Sequence, residues 1–252
     1  MTDLAIEIRG LHKSYSQGWF SKQAVDAVQG LTLEVRPGEI WAMAGPNGAG
    51  KTTTLHCLLG LLSPDQGEIR VFGKDPRNPE ARRTLGFQSE IFFSYPYRQA
   101  EDALRFYGQL SGLKDPDLQH RVDRALDLLG LAGVRHQLLG GFSKGMMQRI
   151  GLAQSLLHDP NLIVWDEPST GLDPEGRRLV ADLASKFRAQ GKTVLLSTHI
   201  LSDIERVCDH IAIINKGRML LSVEMGSLLQ SHPGKTLEDI YLETVKGFDY
   251  AR

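Results

Sequence analysis

Apolar and polar positions alternate over Leu4 to Arg9 and again over Val28 to Val35, the period-two pattern of strands. Between them, Tyr15 to Gln29 reads as a hairpin whose polar tip carries Trp19 and Phe20. The apolar run Glu39 to Ala44 predicts a third strand, which leads directly into the glycine-rich stretch Gly45 to Thr52. Thr53 to Leu61 then predicts a helix, and Gly67 to Phe72 and Leu85 to Ser89 predict short strands. From Gln99 to about Leu157 the period becomes helical: Ala103, Leu104, Tyr107 and Leu110 recur at helix spacing, as do Val122, Ala125, Leu126 and Leu129. This segment reads as an all-α insertion. Alternation then resumes, with strands at Leu162 to Trp165, Thr193 to Ser197, Ile211 to Asn215 and Arg218 to Ser222. A helix from Glu175 to Ala189 and a short one after Ser197 separate them, and an amphipathic helix from Thr236 to Val245 follows the Pro233-Gly234 break. Strands alternating with helices imply a mainly parallel sheet covered on both faces.

A chain of 252 residues, 41% hydrophobic and 23% charged, has the balance of a soluble globular protein of roughly one to two domains. Lys and Arg total 29 against 30 Asp and Glu, so the chain lacks the basic excess that marks a general nucleic-acid binder, and no nucleic-acid partner is expected. The first residues lack the basic segment and apolar run of a secretory signal, and the longest greasy stretch, Leu55 to Leu62, is far short of a membrane span. The expected location is the cytosol unless something tethers the chain. The two cysteines, Cys57 and Cys208, have no zinc-finger spacing and read as reduced core residues on helices.

The residues Gly45-Pro46-Asn47-Gly48-Ala49-Gly50-Lys51-Thr52 match G-x-x-x-x-G-K-[ST] in full, with a strand before and a helix after. Backbone N–H groups of Gly48, Gly50 and Lys51 can cradle phosphate oxygens, because glycines allow close approach and a helix N-terminus favours negative charge. Lys51 is placed for the β and γ phosphates, and Thr52 for Mg²⁺. Trp165-Asp166-Glu167 ends a strand in two adjacent acids, which strand alternation points to different faces. Asp166 suits the hydrated Mg²⁺ shell, and Glu167 is free to take a proton from an attacking water.

The run Phe142-Ser143-Lys144-Gly145-Met146-Met147-Gln148-Arg149, a short helix upstream of Leu162-Ile163-Val164-Trp165-Asp166-Glu167-Pro168, resembles the signature and Walker B elements of the ATP-binding cassette (ABC) ATPases. Ser169-Thr170-Gly171-Leu172-Asp173 resembles the D-loop, and Thr198-His199 the switch histidine; order and spacing agree over nearly the whole chain. The common signature is Leu-Ser-Gly-Gly-Gln, and Phe142, Lys144 and Met146 replace its first, third and fifth residues. The Ser-Lys-Gly-Met variant is similar to ATP-binding subunits of bacterial exporters of the drug, sodium, polysaccharide and copper-maturation kind.

The resemblance implies an α/β P-loop NTPase core with an N-terminal antiparallel β subdomain and an α-helical insertion. It divides a single ABC ATPase domain into a nucleotide-binding core (1–90 and 161–222), an α-helical subdomain with the signature (91–160) and a helical tail (223–252). ATP is then bound by Gly45 to Thr52 together with Thr53, and His199 contacts the γ-phosphate and helps to position Glu167. Ser143, Lys144, Gly145 and Asp173 act on ATP held by a second nucleotide-binding subunit, a homodimer being the simpler symmetry. Tyr15 resembles the aromatic that stacks on adenine, with Trp19 and Phe20 as rivals. Aligning Gly86-Phe87 with the family places Glu90 at the Q-loop position, as a further Mg²⁺ ligand, and leaves Gln88 a strand residue. The aromatic stretch Ile91 to Gln99 either faces a membrane partner or packs on the helical insertion. The function implied is the cytoplasmic ATPase of an exporter, peripheral on the inner-membrane face and docked on an integral membrane permease. Two other classes stay in view. A soluble ABC-type regulator, repair or translation ATPase usually carries coiled coils or tandem cassettes, which are missing here. A P-loop GTPase or small-molecule kinase leaves Ser143 to Arg149 unexplained, and a GTPase also needs Asn-Lys-x-Asp, whereas Asn215-Lys216-Gly217 is followed by Arg218.

Overall fold

A computed structural model describes residues 4–16 and 24–250. Two strands, β1 (Ile6–Ser16) and β2 (Ala24–Val35), are followed by β3 (Ile40–Ala44), α1 (Lys51–Leu58), β4 (Gln66–Val71), the one-turn helix α2 (Pro79–Arg82) and β5 (Leu85–Gln88). The helices α3 (Ala100–Leu110), α4 (Asp117–Leu128) and α5 (Lys144–Leu156) come next. The chain then runs through β6 (Leu162–Asp166), α6 (Pro174–Ala189), β7 (Thr193–Thr198), β8 (His210–Asn215), β9 (Arg218–Glu224), α7 (Met225–Ser231) and α8 (Leu237–Tyr250).

Strands β2-β1-β4 form an antiparallel sheet, and β5-β6-β7-β3-β8-β9 form a second sheet in which only β9 runs antiparallel to its neighbour. Alternation along the parallel strands sorts the core into two. Ile40, Ala42, Ile163, Trp165, Val194, Leu196, Ile211 and Ile213 face a cluster shared with α3, α4, α5 and α6. Trp41, Met43, Leu162, Val164, Leu195, Ala212 and Ile214 face the opposite cluster, shared with α1 and the antiparallel sheet. Burial on both faces is why these strands read as continuous apolar runs. Trp165 is the largest fully buried side chain; its indole N–H donates to Ser155 Oγ at 3.2 Å and its ring meets the edge of Phe187.

Several elements differ from the sequence expectation. The helix after the glycine loop stops at Leu58, short of Leu61, because Gly60 takes φ 65 and the Gly60 and Leu61 amides bond back to Cys57 O and His56 O, a Schellman ending. The short helix after Thr198 is a single 3-10 turn at Leu201–Asp203, so Cys208 lies in the irregular segment before β8 and not on a helix. Both cysteines are free and buried, and burial pushes the Cys57 thiol up to about 11. Helices α2 and α7 are too short to impose a period on the sequence, which is why the hydrophobic pattern does not show them.

The helical insertion has its own polar staple. Arg135 Nε donates to Glu101 Oε2 at 2.8 Å and its guanidinium also binds Asp123, while Gln119 donates to Glu101 Oε1 at 2.8 Å. The hydrogen bond from Arg135 holds the Glu101 carboxyl well below its ordinary 4.5, at about 2. A depressed carboxyl stabilises the fold fully above pH 4.5, and that contribution is lost as the pH falls toward 2. In thermal melts, Arg135→Met should therefore lower the midpoint at neutral pH, and the gap to the wild type should narrow progressively below pH 4.5.

Candidate functional site

The site lies where β3, β5, β6 and β7 end at their carboxyl ends, the edge at which open α/β sheets take ligands. Parallel register fixes the neighbours: Ala44 pairs with Thr198 and Asp166 with Ser197. The glycine loop leaves β3 at Gly45 and enters α1 at Lys51. A Cβ on Gly45 would stand 2.3 Å from Ile214 O, and Gly50, at φ 103, would place one 2.3 Å from Ala27 O. The loop is therefore pressed between β8 and the start of β2, and a side chain at either glycine would push it out. Gln29 N donates to Gly217 O and Gly217 N to Ala49 O, which ties the loop to β2 and the β8–β9 turn.

A cleft of about 530 Å³ opens beside this loop. Pro46 to Thr53, Glu90, Glu167 and Lys216 line it, together with Val25, Asp26, Ala27 and Gln29 from β2. Lys51 is buried, and its ammonium donates to Gly45 O at 2.6 Å and Pro46 O at 3.3 Å. It also faces Glu167 Oε1 at 3.3 Å. Thr52 Oγ1 donates to Asp166 Oδ2 at 2.9 Å, and Ser197 Oγ donates to Asp166 Oδ1. A hydroxyl and a carboxylate side by side, with Glu90 across the same cleft, are hard oxygen donors of the kind that suit Mg²⁺ completed by water and phosphate oxygens.

Strand alternation does not place Glu167. β6 ends at Asp166, and Glu167 itself takes φ 50, in the left-handed region. Its N–H donates to Ser197 O at 3.2 Å and Ser197 Oγ at 3.0 Å. The turn leaves its carboxylate 7% exposed between a lysine and a histidine, with Oε1 facing Lys51 and Oε2 at 2.8 Å from His199 Nδ1. His199, about half exposed, follows Thr198 at the end of β7.

Other candidate residues fall elsewhere. Tyr15 is exposed with its hydroxyl 3.4 Å from Thr53 Oγ1, beside the loop but outside the residues lining the cleft. Trp19 and Phe20 lie outside the described residues. Gln88 is a fully buried residue of β5, whereas Glu90 is exposed and lines the cleft. Ser143 caps α5, its Oγ accepting from Met146 N at 3.2 Å. Ser143, Lys144 and Gly145 do not reach the cleft of their own chain; Lys144 lies over Gly171, and Leu172 packs against Gly145. Asp173 caps α6 by accepting from Gly176 N at 2.7 Å, and is exposed. In the aromatic stretch Phe92 packs inward against Tyr107 and Gly151, while Phe93 is 82% and Tyr97 is 72% exposed.

Sequence reasoning missed Ser197, which bridges the two acidic residues, and the β2 wall of the cleft. Ser197 stands in an apolar strand immediately before the Thr-His pair, and a buried hydroxyl there was the available signal.

Fold and site together define a P-loop nucleotide-binding protein. The chain belongs to the ABC transporter family, whose family model matches residues 28–170. An uncharacterized ABC transporter ATP-binding protein of Synechocystis sp. is 36% identical over 91% of this chain. The chain spans 65% of that relative's length. The Nod factor export ATP-binding protein I of Cupriavidus metallidurans is 36% identical over 85% of this chain and 71% of its own length. Among solved structures, an ATP-binding subunit of an ABC transporter is 29% identical and superposes with a TM-score of 0.83, over 96% of this chain and 99% of that one.

Ser197→Ala removes the hydroxyl that Asp166 and the Glu167 amide share. It should cost about 1–3 kcal/mol in urea unfolding, the range for stranding a buried polar group.

Proposed function

We propose that the chain binds ATP with Mg²⁺ and hydrolyses it as the nucleotide-binding subunit of an exporter. The observation that carries this reading is the Glu167 carboxylate held between Lys51 and His199 at the wall of the glycine-loop cleft. The amides of Gly48, Gly50 and Lys51, together with the Lys51 ammonium, take the β and γ phosphates, for which the ammonium swings away from the Gly45 and Pro46 carbonyls. Thr52, Asp166 and Glu90 would hold Mg²⁺, which when bound would neutralise charge on the phosphates. Glu167 accepts the proton of the attacking water, and His199 orients Glu167 and contacts the γ-phosphate. Tyr15, beside Thr53, offers a face for adenine.

Ser143, Lys144, Gly145 and Asp173 act in trans. They stand at exposed or half-buried helix ends away from their own cleft, as residues that complete a second copy's site must. Two copies closing over two ATP molecules and reopening after hydrolysis drive alternating access in a separate membrane permease. No helix among the described residues is long and apolar enough to cross a membrane. The exposed aromatics Phe93, Tyr95 and Tyr97, directly after Glu90, form the face that docks on the permease at the cytoplasmic side of the membrane. The name of the Cupriavidus relative supports export as the direction.

Glu167→Gln should bind MgATP as tightly as the wild type while steady-state hydrolysis falls roughly 10²- to 10⁴-fold. Nucleotide titration and a phosphate-release assay on the same preparation measure both. Turnover at the wild-type rate would contradict the mechanism.

A further inference from the structure

We propose that Gln148 is a positioning residue for Glu167, coupling the direction of its carboxylate to the signature helix α5; the proposal rests on the reading of Glu167 as proton acceptor. Gln148 is 3% exposed and lies five residues into the helix that Ser143 caps. Its amide nitrogen donates to two successive carbonyls, Glu167 O and Pro168 O, each at 3.2 Å. An NH₂ group has two donors, and here both meet the backbone of one turn.

That turn needs holding. The left-handed region is sparsely populated by residues other than glycine and persists only where the surroundings over-determine it. On the N-terminal side Ser197 binds the Glu167 amide twice. On the C-terminal side Pro168 has no N–H to offer, and Glu167 O is bound by Gln148 and by Thr170 N at 3.1 Å. Ser197 thus anchors the turn to the sheet, and Gln148 anchors it to α5.

Helix α5 is itself seated firmly. Gln154 Nε2 donates to Phe87 O at 2.6 Å, and a Cβ on Gly151 would stand 3.1 Å from Phe92. One rigid element therefore carries the exposed Ser143 end, the hold on Glu167 and a contact with the aromatic stretch. Any displacement of α5 is transmitted to the peptide groups that orient the Glu167 carboxylate between Lys51 and His199.

The test compares wild type with Gln148→Met, which keeps length and apolar volume but removes both donors. MgATP affinity should stay at the wild-type value and the melting midpoint should fall modestly, because the buried Glu167 and Pro168 carbonyls lose a donor, while kcat falls roughly 10²-fold, the effect of a misplacement of about 1 Å in a reacting group. Hydrogen–deuterium exchange at the Thr170 amide, followed in the nucleotide-free protein, should become faster. Wild-type kcat, or a loss of kcat matched by an equal loss of MgATP affinity, would overturn the positioning role. So would unchanged exchange at Thr170. If the wild type itself releases no phosphate from ATP, the functional reading fails, and the exchange measurement still decides whether Gln148 holds the turn.

Discussion

The site depends on one turn of backbone, the left-handed Glu167 at the end of β6. Had the strand continued, Asp166 and Glu167 would point to opposite faces of the sheet, and one of them would be lost to the core. The turn costs on the order of 1–3 kcal/mol, and two bonds from the Glu167 N–H to Ser197, with three accepted by the Glu167 and Pro168 carbonyls, offset it. Its return is that both acids serve one cleft, Asp166 through Thr52 and Glu167 against Lys51 and His199.

Two carboxylates sit almost fully buried here, and burial of a charge is unfavourable unless it is paired and hydrogen-bonded. The parallel sheet provides the partners by register: Ser197 stands beside Asp166 on β7, and the β3 end delivers Lys51 and Thr52 through a loop too tightly pressed to move aside. Lys51, turned to its own loop carbonyls, compensates Glu167 in the same stroke. Glu167 is thus paired, and Asp166 hydrogen-bonded by Thr52 and Ser197, before any phosphate arrives, and phosphate offers Lys51 a stronger partner than neutral carbonyls.

The legible parts of this site were the contiguous ones. The glycine loop announces itself because backbone approach, helix start, lysine and threonine must follow one another in the chain. The Asp-Glu pair at a strand end and the layered α/β order were legible for the same reason. The left-handed turn was not, because nothing in Asp166-Glu167-Pro168 says where the strand stops. Ser197 and the β2 wall of the cleft were hidden as well, since each acts through pairings made across the fold. Gln148 was visible only as part of a motif; its hold on a turn nineteen residues away is a tertiary fact. The aromatic stretch proved to be divided, Phe92 inward and its neighbours outward, which no periodicity over so few residues distinguishes.

The proposed cycle requires a second copy, because Ser143, Lys144 and Gly145 stand away from the cleft of their own chain and present α5's capped end outward. A cleft open to solvent binds phosphate but does not exclude water, and closure by another subunit supplies both the missing contacts and the seal. The most direct measurement is sedimentation of the Glu167→Gln protein under saturating nucleotide. A dimer is expected with MgATP and a monomer with MgADP. A protein that demonstrably binds MgATP yet sediments as a monomer would contradict it.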